Sequence, residues 1–169
     1  RLKDVALQNG LREVGEQWFK GSQVESVSVP ASVTAIGKEA FRGCRALRSV
    51  TFASGSLLKT IGERSFAGSG LVEVTVPGST TSVGELAFSG CKILRRVSFR
   101  GKVLASIGAG CFRGSGIADI SVQISVAEMG LEAFCECGAL RRITFAGDSR
   151  LGAIKADCFR GAGLEEITI

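Results

Sequence analysis

Seven phenylalanines, Phe19, Phe41, Phe66, Phe88, Phe112, Phe134 and Phe159, recur at intervals of 22, 25, 22, 24, 22 and 25 residues. A unit of that length is too small to bury its own apolar face. Each must stack on its neighbours, so the core becomes one continuous strip. The surroundings of each Phe repeat as well. An apolar residue and a Gly come before it, as in Ile36-Gly37 and Val83-Gly84. A Gly follows two residues after it in six of the units (Gly21, Gly43, Gly68, Gly90, Gly114, Gly161), and then a segment of the form L-x-x-V-x-F.

Eight such segments occur: 2–7, 24–29, 47–52, 71–76, 94–99, 117–122, 140–145 and 164–169. Their β-branched and aromatic residues alternate with small polar ones, which reads as strand. Stacked in parallel at about 4.8 Å, eight strands span roughly 34 Å. The stretch around each Phe is too short for a full helix and predicts one or two helical turns, of α or 3₁₀ type. The Gly after the Phe suits the left-handed residue that ends such a turn. Glu136 stands in that column, so its turn is expected to differ locally.

The composite pattern, seen in Ile36-Gly37-Lys38-Glu39-Ala40-Phe41 and on through Cys44, Leu47, Val50 and Phe52, resembles the BspA-like leucine-rich repeats over essentially the whole chain. The resemblance implies a leucine-rich-repeat solenoid. Its parallel sheet of about eight short strands lines a concave face, and its short helical or 3₁₀ turns form the convex one. It also implies a protein-binding or adhesive role, often at the cell surface of bacteria and protists. Lys155, in a column of Gly, and Glu136 are the departures. Residues 1–169 read as one repeat segment with both ends inside the pattern, which leads us to expect a longer parent chain or a larger assembly.

A second period overlies the first. The last strand residue alternates Val29, Phe52, Val76, Phe99, Val122, Phe145, and the third residue after the Phe alternates Ser22, Cys44, Ser69, Cys91, Ser115, Cys137. The unit is therefore a pair of repeats, in which large residues meet small ones across a rung.

The residue inventory narrows the chemistry. The chain has no His and no Tyr, so the commonest general base and metal ligand are missing. Asp148 and Asp157 are isolated carboxylates, and no phosphate loop or nucleophile motif occurs. The expectation is a non-enzymatic module without cofactor or metal. Cys44, Cys91 and Cys137 fall two rungs apart, roughly 10 Å, which is too far for a disulfide; they are expected to be buried structural thiols. Unpaired thiols favour a reducing compartment, whereas the resemblance leans toward the cell surface. No stretch is long and apolar enough to span a membrane as a helix.

Two outward columns carry the surface reading. The middle strand residue is Ser28, Thr51, Thr75, Ser98, Ser121, Thr144 or Thr168. An array of hydroxyls on a solenoid raises the possibility of ice binding, but flanking charges disfavour it and lateral hydrogen bonding accounts for the column. Those charges alternate in sign from Glu25 on, through Arg48, Glu73, Arg95-Arg96, Asp119, Arg141-Arg142 and Glu165-Glu166. In an in-register stack each Arg would then neighbour a carboxylate, each pair contributing about 0.2–1 kcal/mol. With 21 Lys and Arg against 16 Asp and Glu, the net charge is +5. Mixed signs and the lack of stacking platforms make nucleic acid an unlikely ligand. The candidate protein-binding residues are Arg48, Glu73, Arg95, Arg96, Arg100, Asp119, Arg141 and Arg142. The alternative is a scaffold subunit packing through convex apolar residues such as Trp18, Leu86 and Leu131.

Overall fold

The computed structural model describes residues 3–122, 125–146 and 151–168. Fifteen short strands follow one another through these residues: β1 (Asp4–Ala6), β2 (Glu13–Val14), β3 (Ser26–Val29), β4 (Ala35–Ile36), β5 (Ser49–Phe52), β6 (Thr60–Ile61), β7 (Glu73–Val76), β8 (Ser82–Val83), β9 (Arg96–Phe99), β10 (Ser106–Ile107), β11 (Asp119–Val122), β12 (Glu128–Met129), β13 (Arg142–Phe145), β14 (Ala153–Ile154) and β15 (Glu166–Thr168). The odd-numbered strands are the eight expected from L-x-x-V-x-F. The even-numbered ones sit at the apolar-Gly step, and at two residues each they are too short to show an alternation in sequence.

All pairing is parallel and in register, as in Glu73↔Arg96 and Asp119↔Arg142. The even strands form one unbroken sheet of seven, while the odd strands fall into three groups, β1-β3-β5, β7-β9 and β11-β13-β15. Hydrogen bonding thus lapses between β5 and β7 and between β9 and β11. The approach to each lapse already loosens. Val72 N–Arg48 O and Ala118 N–Arg95 O are 3.3 and 3.4 Å, against 2.8 Å for Arg48 N–Glu25 O, Arg95 N–Val72 O and Arg141 N–Ala118 O.

The expected helical turns are absent among the described residues, and the hydrogen bonds explain why. In the rung of Phe41, alternate N–H groups close overlapping β-turns (Ala40 N–Gly37 O 3.3 Å, Arg42 N–Glu39 O 3.1 Å, Cys44 N–Phe41 O 3.2 Å). The others reach the next rung (Glu39 N–Glu63 O 2.9 Å, Phe41 N–Ser65 O 2.7 Å, Gly43 N–Ala67 O 2.8 Å). A helix would turn these donors inward and leave the neighbour unbonded. The first and last turns of each set require a left-handed third residue. Gly43 supplies one at φ 71°, and Glu39 adopts the other at φ 53°. Glu136, expected to disturb its turn, takes φ 60° and donates to Arg160 O at 2.7 Å as the glycines do. The backbone pattern survives the side chain.

Inside, the seven Phe rings stack face to face, with centroids 5.1–5.7 Å apart and planes within 17° of parallel. Valines and isoleucines of the odd strands and the leucines before them fill the rest, and Leu47, Leu71, Leu94 and Leu140 are fully buried. From Gly37 to Gly130, the Gly before each turn faces the preceding rung's backbone. A Cβ on Gly84 would lie 2.9 Å from Glu63 N, and one on Gly108 would lie 2.6 Å from Gly84 C. Lys155 shows the consequence. Its bond to Met129 O is 3.1 Å, the longest in a column that otherwise runs 2.7–2.9 Å.

Two substitutions test this account by denaturant unfolding. Phe88→Ala removes a ring stacked on both sides and should cost about 3–5 kcal/mol, while Phe19→Ala, at the half-buried end of the stack, should cost clearly less. Gly84→Ala must separate two rungs held on both sides, and we expect a loss of about 1–3 kcal/mol.

Candidate protein-binding face

Alternation within the odd strands sorts their side chains cleanly. In β3, Val27 and Val29 are buried while Ser28 is exposed, and the same order runs through β7, β9 and β11. The hydroxyl column therefore lies on the surface as expected, with Thr51 Oγ1 donating to Ser28 Oγ at 3.3 Å.

The charge ladder forms at the two ends of this face and fails in the middle. Lys3 pairs with Glu25 at 2.8 Å near one end. Near the other, Arg141 Nε reaches Glu165 at 3.1 Å, and Arg142 reaches Glu166 at 2.8 Å and Asp119 at 3.9 Å. The hydrogen bond from Arg142 holds the Glu166 carboxyl below the usual range and raises the guanidinium in turn. Between these ends, Glu73 and Arg96 are register partners, yet among the described residues neither makes an ion pair, and neither do Arg95 or Arg100.

Not all the candidate arginines are free for a ligand. Arg48 Nη1 donates to Arg45 O at 3.3 Å and Gly70 O at 3.0 Å. Arg141 Nη1 does the same two pairs of repeats away, to Gly138 O at 2.8 Å and Gly163 O at 3.0 Å. Both guanidinium groups tie one rung's turn to the next. A side chain on Gly70 or Gly163 would collide with the guanidinium of Arg48 or Arg141.

Two shallow depressions follow the lapses in the sheet. The one between β9 and β11 is lined by Arg96, Ser98, Asp119, Ser121, Arg142 and Thr144, with Phe99 beneath. The other, between β5 and β7, is lined by Thr51, Phe52, Glu73, Thr75, Pro77 and Arg100 among others. The structure thus brings Arg96, Asp119 and Arg142 to one depression and Glu73 and Arg100 to the other. Arg48, Arg95 and Arg141 lie outside both. Asp148 lies outside the described residues.

A second charge network, on the turn edge, escaped the sequence reading. Glu39 accepts from Lys20 at 2.6 Å and from Arg42, Glu63 from Lys38 at 2.9 Å and from Arg64. Farther along, Glu132 binds Arg113 at 2.7 Å and Arg160 at 3.3 Å. Reading the turn columns across one repeat interval, as was done for the strands, would have exposed it. The hydrogen bond from Lys20 pulls the Glu39 carboxyl below its ordinary range, and the one from Lys38 does so for Glu63.

All six cysteines are free and buried. The Ser/Cys alternation has a polar rationale that sequence reading missed. Cys44, Cys91 and Cys137 donate to Phe19 O, Phe66 O and Phe112 O at 2.8, 3.1 and 2.9 Å, each beside the hydroxyl of Ser22, Ser69 or Ser115 at 3.4–3.5 Å. Burial pushes these three thiols up, and that of Cys158 to about 11. Thiols held protonated are inert as nucleophiles. Among the described residues no group of three or more His, Cys, Asp or Glu could hold a metal ion.

This parallel solenoid of about seven turns with an L-x-x-V-x-F strand in each is a leucine-rich-repeat protein. More narrowly, the chain belongs to the family of BspA type leucine rich repeat regions, whose pattern matches in 6 copies over residues 1–94 and 59–169. Among solved structures it is similar to a leucine rich cell surface protein from Faecalibacterium prausnitzii A2-165, at 26% identity and a TM-score of 0.59 over 86% of this chain and 48% of that one. It is similar to the T. pallidum leucine rich repeat protein at 26% identity and a TM-score of 0.57, over 85% of this chain and 58% of the other. The pneumococcal vaccine antigen PcpA shares the fold, with a TM-score of 0.61 at 18% identity, covering 99% of this chain and 60% of its own. The chain therefore spans about half to three fifths of these relatives. No curated protein matches it.

The lowered Glu39 carboxyl gives a pH prediction. Because it ionises more readily folded than unfolded, it stabilises the fold above about pH 4.3, and that contribution is lost as pH falls through the lower folded value. Glu39→Gln should be less stable than the parent at pH 7 and show a flatter acid limb in denaturant midpoints measured from neutral pH downward. Parallel profiles would remove Glu39 from the acid response.

Proposed function

We propose that this chain is a non-enzymatic protein-binding module that takes its partner on the odd-strand face. The observation that carries the reading is the contrast along that face: ion pairs neutralise its ends, whereas Glu73, Arg95, Arg96 and Arg100 in the middle make none among the described residues. Glu73, Arg96 and Arg100 line the two depressions and are available to a ligand, and opposed charges on a rigid sheet favour specificity and orientation in binding. Leucine-rich repeats commonly mediate protein interactions, and a structural relative is described as a cell surface protein, which supports an adhesive role at that location.

The scaffold reading has one observation behind it. Leu131 is 51% exposed and Trp18 55% exposed on the turn edge, although the Trp18 indole already lies across the backbone of Gly15.

Photo-crosslinking separates the two. A crosslinking residue is placed at Ser98 or Ser121 on the strand face, and at Leu131 or Trp18 on the turn edge, and adducts are mapped by mass spectrometry in extracts and with surface-matrix proteins. We expect adducts with another protein at Ser98 and Ser121. Adducts confined to Leu131 and Trp18 would overturn strand-face binding in favour of the scaffold.

A further inference from the structure

Resting on that protein-binding reading, we infer that the partner presents an extended polypeptide segment with acidic residues at its centre, which crosses the strands over β9 and sets its carboxylates on Arg95, Arg96 and Arg100.

The argument begins with where the charges sit. Three arginines fall within six residues of one rung and lack an ion-pair partner among the described residues, while Arg142 is held by Glu166 and Asp119. Among the described residues, this rung gathers three unpaired guanidinium groups, whereas Arg48, also without an ion pair, is spent on two backbone carbonyls. One rung to either side stands a carboxylate, Glu73 in β7 in register with Arg96, and Asp119 in β11, whose register partner is Arg142 in β13. Across the strands the face thus reads negative, positive, negative, with the usual spacing of about 4.8 Å from β7 to β9 and the unpaired, open step from β9 to β11.

That order selects the chemistry of the occupant. A uniformly charged polymer such as a sulfated glycan would meet Glu73 or Asp119 wherever it extended past the arginines, at a cost from like charges. A polypeptide can change sign from residue to residue, with carboxylates over β9 and neutral or basic side chains over β7 and β11. The exposed hydroxyls of Thr75, Ser98 and Ser121 can donate to peptide carbonyls or accept from peptide N–H groups. No aromatic ring stands exposed on the described part of this face, so bases and sugar rings lack a platform.

The length follows from the depressions. Arg96 lines the one beyond β9 and Arg100 lines the one before it. The stretch from β5 to β13 covers four rung gaps, about 19 Å, which about six extended residues span at roughly 3.3 Å each.

Fluorescence anisotropy with the full chain tests this. The probes are labelled peptides of about eight residues, a little over the span, with two central glutamates and a lysine on each flank, or the same peptide with glutamine or lysine at the centre. The glutamate peptide should bind at least about tenfold tighter than the glutamine peptide, and its affinity should fall as salt rises from about 50 to about 300 mM. Arg95→Ala/Arg96→Ala/Arg100→Ala should abolish the preference. Arg12→Ala/Lys59→Ala/Lys92→Ala, which removes the same charge from exposed sites off the odd strands, should retain it.

Equal binding of the three peptides, no binding, or a preference that survives the arginine variant would overturn the inference. So would a heparin-derived oligosaccharide that binds the arginine rung more tightly than the glutamate peptide, since the occupant would then be a glycan. In each of these cases crosslinks to a protein at Ser98 and Ser121 would leave the broader binding reading standing. Their absence is what removes it.

Discussion

Among the described residues each rung is bonded to the next through the even strands and the turns, and through the odd strands except at two lapses, and the rest of the structure depends on that constraint. The odd strands, the even strands and the turns all send backbone N–H groups to a neighbour. Backbones must then approach to strand spacing at the turns as well as in the sheets. That excludes a helix, calls for left-handed residues such as Glu39 and Gly43, and leaves no room for a Cβ at Gly84. The Phe stack follows from it, because residues at one repeat position are brought to the distance at which parallel rings pack.

Polar groups near the core obey the same logic. The thiols of Cys44, Cys91 and Cys137 bond to Phe carbonyls of the preceding rung, and Arg48 and Arg141 cap carbonyls of two successive turns. The arginines satisfy carbonyls that the turns leave over, and each thiol adds a second donor to a Phe carbonyl that already closes its turn with Ser22, Ser69 or Ser115 N–H. A pair of repeats is the natural unit because a Ser and a Cys in successive rungs contact one another. Against this background, Arg95, Arg96 and Arg100 stand out as three arginines of one rung that make no ion pair among the described residues.

Much of this was legible in the chain itself. The eight long strands, their parallel register, the inward and outward columns and the free thiols all follow from period and alternation. Two features did not. The even strands are two residues long and carry no periodic signal. The turns read as helical because their local spacing suits a helix, and only the competing demand of the next rung's carbonyls decides otherwise.

For the face, the alternating charges along the strands were readable, but which of them pair was not. Glu73 and Arg96 stand in register just as Asp119 and Arg142 do, and one couple meets while the other stays apart. Sequence determined the repeat, the fold family and the side of the sheet on which each side chain stands, because these depend on local period alone. Tertiary structure decided where the sheet opens, which arginines are spent on backbone carbonyls and which remain free. Those outcomes turn on how neighbouring rungs settle against one another, and no local pattern encodes them.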